Sequence, residues 1–134
     1  MIETMAREVP VPEEDYRRFK RRLFDDAVSD WTGVYEAWWT ANAEFPDLAV
    51  SERLLIAEQA VRELVKDGHL DLYRGTWEGR PGDRVPREEY DATLREWATW
   101  TIPQEDQPSA TTVVWMGGDE PKSTEAWQSV LDSL

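Results

Sequence analysis

The sequence predicts an α+β domain, mainly helical, with a small antiparallel sheet. Two observations carry that expectation. Apolar residues recur at helical spacing in five stretches, and the period drops to two near residue 70, with a second β-branched and aromatic run after residue 110. At 134 residues the chain has the length of one domain. The expected division is a flexible arm over 1–11 and a single globular unit over 12–134.

Each element has a local reason. Pro12 precedes Glu13, Glu14 and Asp15, which suit the positive end of a helix dipole, and Tyr16, Phe19, Leu23 and Ala27 then form a stripe over 13–28. Ser29 or Asp30 is expected to cap a second helix over 32–44, with Trp31, Val34, Trp38, Ala41 and Phe45 on its apolar face and Trp39 at the edge of the core. Pro46 stops it, because proline lacks an amide donor. A third helix is read over 51–67, capped by Ser51, stapled by Val50 and Leu55, and closed by Gly68 in the left-handed region.

Leu70 and Leu72 alternate with Asp71 and Tyr73, which predicts a strand over 69–77. Residues 78–84 read as turns and 86–99 as a fourth helix with Tyr90, Leu94 and Trp97 on one face. Residues 102–110 read as a polar loop, 111–116 as a strand ended by Gly117 and Gly118, and 124–133 as a last helix burying Trp127, Val130 and Leu131.

Composition limits the chemistry. There is no cysteine and one histidine, so disulfides, thiolate sites and multi-histidine metal centres are outside the reading. Twenty-eight acidic against fifteen basic residues leave a net charge of −13. Such a surface disfavours nucleic acid and anionic membranes on average. No apolar run reaches the roughly 18 residues of a membrane span and no secretory leader is read, so a cytoplasmic protein without membrane contact is expected. The basic run Arg17 to Arg22 is offset by carboxylates at helical spacing, including Asp25 and Asp26. His69 beside Gly68 reads as a capping or surface residue. Asp67 to Glu78 fails as a calcium loop, because Leu72 stands where that loop needs glycine. Gly-rich phosphate loops, nucleophile elbows and metalloprotease motifs are not found, so no catalytic residue, metal or cofactor is assigned.

The stretch Val65 to Tyr73, where a third helix closes on an acidic-glycine step and runs into a strand, resembles the winged-helix superfamily at the join of recognition helix and wing. The resemblance covers about 13–77 plus 111–116, the latter as the returning strand. It implies a helix 51–67 facing a DNA major groove, with Gln59, Arg62 and Lys66 as reading residues and Arg74, Arg80 and Arg84 on the wing. Glu52 and Glu63 share that helix face and oppose phosphate. Leu55 and Ile56 suit an interface core better than a base edge.

The reading is therefore a non-catalytic acidic protein-interaction or regulatory module, such as an adaptor, an inhibitor that could mimic DNA, or an immunity-type protein. Its partner is expected to be another protein, met through Trp39, Ile56, Arg62, Arg74, Trp77 and Arg80, which are of residue types that concentrate binding energy. The alternatives are a winged-helix DNA-binding regulator and a subunit of a homo-oligomer.

Overall fold

The computed structural model describes residues 9–76, 81–101 and 112–134. Trp77, Arg80, the N-terminal arm up to Glu8, the loop 102–110 and Thr111 lie outside the described residues.

Helix α1, Glu13–Ser29, starts behind Pro12 with its three acids in the first turn and buries Tyr16, Phe19, Leu23, Phe24 and Ala27. Thr32–Gly33, expected from the sequence to open the second helix, forms a short strand β1 instead. Helix α2, Val34–Glu44, starts after it. The Glu36 side chain accepts the Gly33 amide at 2.7 Å and serves as the cap expected from Ser29 or Asp30. Trp31 consequently leaves the α2 face on which helical spacing had put it.

Helix α3, Val50–Lys66, begins before Ser51. Glu52 reaches back to the Ala49 amide at 2.9 Å, so Ser51 is not the cap and Val50 stands exposed instead of stapled. At the other end Gly68 takes φ +83°. The Gly68 amide donates to the Val65 carbonyl and the His69 amide to that of Leu64, closing a Schellman turn.

The turn sends the chain into β2, Asp71–Thr76, the central partner of β4, Thr112–Gly117. These two strands pair antiparallel from Asp71 opposite Gly117 to Thr76 opposite Thr112. On its other side β4 pairs with β1, Thr32 facing Met116. A fourth strand, β3, Pro81–Arg84, lies inside the stretch read as turns, and the sheet order is β1-β4-β2-β3, all antiparallel. Pro81 is tolerated because it is the first residue of an edge strand.

The helix expected over 86–99 is broken. A 3-10 turn, Arg87–Glu89, leads into α4, Tyr90–Arg95, and a second 3-10 segment covers Trp97–Trp100. The Thr99 hydroxyl takes the Thr93 carbonyl at 2.8 Å and the Trp100 indole takes that of Leu94 at 2.8 Å. Those carbonyls would otherwise accept the next helical amides, so the helix ends at Arg95. Helix α5, Thr124–Ser133, has the expected bounds and is capped by the Ser123 hydroxyl, but Trp127, Val130 and Leu131, expected to be buried, are only half-buried against the core.

Leu72, Val114 and Met116 point into the core shared with α1, α2 and α3. Strand alternation sends Tyr73, Trp115 and Gly117 to the opposite face. The described residues thus form the expected α+β fold, helices on one side of a small antiparallel sheet.

One polar network ties α1 to α3. The Glu63 carboxylate accepts from Lys20 at 2.8 Å, from Tyr16 at 2.8 Å and from Gln59 at 2.6 Å. Burial alone would raise the Glu63 pKa, but these donors outweigh it and hold the carboxyl below its ordinary 4.5. Its contribution to stability is therefore complete above pH 4.5 and lost as pH falls through the lowered value. Asp26 and Glu36, whose pKa values burial raises, act with the opposite sign and gain as they protonate.

Two outcomes are expected in urea denaturation. Glu63→Gln costs about 1–3 kcal/mol at pH 7, and its difference from wild type shrinks as pH is taken below 4.5; an unchanged difference would contradict the network's role. Gly68→Ala costs about 1–2 kcal/mol, because its φ of +83° is strained for any residue with a Cβ.

Candidate functional site

The residues read as partner contacts separate into three groups. Ile56 is fully buried, which corrects its place on the outer face of α3. Helix α1 packs beside α3 and its Tyr16 and Lys20 reach Glu63, so the buried arc of α3 extends around to Ile56. Trp77 and Arg80 lie outside the described residues. Arg62, Arg74 and Trp39 remain at the surface or partly so.

Arg62 and Arg74 both turn toward α4. The Arg62 guanidinium holds Glu58 at 3.0 Å and Asp91 of α4 at 2.8 Å. Arg74 shares a strand face with Leu72 and donates to the Thr93 hydroxyl of α4 at 3.2 Å. Asp91 is held in addition by Arg95 at 2.7 Å. Beside them, Asp71 accepts from Arg87 at 3.2 Å and from the Tyr90 hydroxyl at 2.9 Å, with Arg84 at 3.9 Å. The segment between β2 and β4 thus engages two cations that the sequence left open for phosphate, Asp91 pairing with Arg62 and the Thr93 hydroxyl accepting from Arg74. Gln59, another candidate reader, is engaged with Glu63.

The exposed aromatic surface lies elsewhere. Trp39 is 42% exposed and meets Tyr35 edge to face at 5.0 Å. Burial pushes the Tyr35 hydroxyl up to about 12, with the Glu36 carboxylate adding to the shift, so it stays protonated at neutral pH. Trp97, expected on a buried helix face, is 61% exposed and packs against Trp38, the neighbour of Trp39, at 5.5 Å. The break at Glu96 moves Trp97 outward, and no sequence periodicity signals that break. The Trp38 indole N–H is buried with no hydrogen-bond partner among the described residues. Trp39, Trp97 and Trp38 therefore make a ridge where α2 meets the second 3-10 segment.

The basic run of α1 is largely occupied. Arg22 pairs with Glu44 at 2.8 Å and with Asp26 at 3.8 Å, Arg18 pairs with Asp15 at 3.1 Å, and Arg21 holds the Leu131 carbonyl of α5. His69 makes the surface contact expected of it, its Nε2 lying 3.4 Å from the Ser133 hydroxyl. Among the described residues no group of three or more histidine, aspartate and glutamate side chains converges as a metal site, and no helix is long and apolar enough to cross a membrane.

Geometry and charge together define a small α+β domain with an exposed tryptophan ridge and with Arg62, Arg84, Arg87 and Arg95 drawn into internal ion pairs. Comparison with protein-family models, with curated proteins and with solved structures found no match.

Trp97→Ala is expected to lower stability by less than about 1 kcal/mol, the cost of trimming a mostly exposed ring. Arg62→Ala is expected to cost about 0.5–1 kcal/mol, since its pairs are partly solvated. Urea midpoints with unchanged slopes would measure both, and a larger loss for Trp97→Ala would mean the ring supports the core.

Proposed function

We propose that this chain is a non-catalytic acidic protein-interaction module, regulatory in character, built on a winged-helix-like plan. The observation that carries the reading is the solvent exposure of Trp39 and Trp97 on adjoining elements, 42% and 61%. Large exposed aromatics on a rigid helix are the residue type that dominates binding energy at protein interfaces. A net charge of −13 favours a partner of basic surface and steers it at low salt.

The winged-helix-like plan is supported by element order and pairing. Helix, short strand, two helices and a strand follow one another, and β4 pairs between β1 and β2 as the returning strand. DNA binding is the weaker use of that plan here. Arg62 is already held by Glu58 and Asp91, and Arg74 is turned toward Thr93, so a phosphate would have to compete with internal partners.

Mixed-sequence duplex DNA is expected to give no rise in fluorescence anisotropy at low or near-physiological salt. Steeply salt-dependent binding abolished by Arg62→Glu would transfer the function to DNA regulation. The ridge is tested by affinity capture. A partner held by wild type and by Arg95→Ala, but lost from Trp39→Ala/Trp97→Ala at unchanged circular dichroism, is the expected result. Capture indifferent to the double change would remove the ridge from the interface.

A further inference from the structure

A second surface has its own chemistry and does not depend on the tryptophan ridge. Beside the α3–β2 turn the structure holds a cleft of about 380 Å³, bordered by the start of β2, the residues following β4, Trp31 and Val130 of α5. Trp31 and Tyr73 line it with rings nearly at right angles, 80° between planes and 4.8 Å between centroids. A group seated in the corner between two such rings meets a π face of each. Phe24 and Val130 add apolar wall, and Asp71 and Asp119 bring carboxylates to the same cleft.

The walls are set before any ligand arrives. Trp31 lies over Gly117, where a Cβ would overlap the benzene half of the indole, and its backbone amide is held by Asp30 at 2.9 Å. Gly118 fits closely beside the turn, a Cβ there falling 2.6 Å from the His69 carbonyl. Trp31 nevertheless remains 39% exposed. The two carboxylates differ. Asp71 is taken up by Arg87, Arg84 and Tyr90. Asp119 is exposed and makes no hydrogen bond or ion pair among the described residues. His69 also lines the cleft, its Nε2 lying 3.4 Å from the Ser133 hydroxyl, and no lysine or arginine among the described residues does.

Perpendicular aromatic faces with one open carboxylate, on a protein of charge −13, are complementary to a cation and hostile to an anion. We infer that this cleft binds an organic cation carrying N–H donors on an aliphatic stem, an alkylguanidinium or alkylammonium group. The stem lies along Phe24 and Val130, the charge meets the faces of Trp31 and Tyr73, and Asp119 accepts a charge-assisted hydrogen bond. The group is either a free small amine or guanidine, or an arginine or lysine side chain of a protein.

The test is an indole-region NMR titration of the full chain with n-butylguanidinium, with n-butylammonium, with a short blocked peptide containing one arginine, and with n-butylurea as the neutral match. Saturable shifts of the Trp31 indole with the cations and not with the urea are expected. Affinity should fall about tenfold in Asp119→Asn and in Tyr73→Leu and stay unchanged in Trp39→Ala. Asp119 is exposed and unpaired among the described residues, so its change leaves the fold intact even if Tyr73→Leu does not. Tighter binding of the peptide than of butylguanidinium identifies a protein side chain as the source, and the reverse identifies a free cation. Shifts that fail to saturate, that appear equally with the urea, or that survive Asp119→Asn undiminished would overturn the inference.

Discussion

The placement of β4 governs the rest of the molecule. β1 is only two residues long and has β4 as its partner, and β2 is held in register along its length by the same strand. A two-residue strand has no independent stability, so β1 exists because β4 reaches it. That pairing fixes Gly33 opposite Trp115 and so determines where α2 starts. It also decides which residues leave the core. Val114 and Met116 close over the helices, while Trp115 and Gly117 turn outward and give Trp31 a place to lie.

Helices with strong local signals were legible from sequence. The apolar stripe of α1, the glycine closure of α3 and the apolar spacing of α5 all follow from nearest-neighbour chemistry. The alternation around Leu72 and the β-branched run before Gly117 gave both central strands for the same reason. Misreadings arose where a distant partner overruled the local pattern. Thr32 and Gly33 look like a helix start until β4 pairs with them. Residues 90–100 have helical spacing, yet the Thr99 hydroxyl and Trp100 indole take the carbonyls a longer helix would need.

The candidate surfaces show the same division. Trp39 was placed correctly because its angle on α2 follows from helix geometry alone. Ile56 was misplaced because burial of α3 spans the sides facing α1 as well as the core, and that depends on a neighbour whose position one sequence does not encode. Trp97 and Trp31 were assigned to buried faces and stand exposed, each displaced by a break in regular structure. Charge was legible as a sum and illegible as a map. The −13 total pointed away from nucleic acid, but only the fold shows Asp91 pairing with Arg62 and Asp71 lying 3.9 Å from Arg84, two of the arginines that would have opposed that reading.

The order of the sheet has a temporal meaning as well. Thr32 meets Met116, so the pairing of the edge strand β1 with β4 joins the first third of the chain to its last fifth. Such contacts reward the chain only after a long loop has closed, and long-range pairing slows folding relative to local helix formation. On a ribosome, α1, α2 and α3 emerge together with β2 long before β4 does. Until Thr112–Gly117 follow, the nascent protein therefore carries an open sheet edge on β2 and an incompletely covered core, and residues 1–76 hold only about half of the excess acid that keeps like-charged neighbours apart.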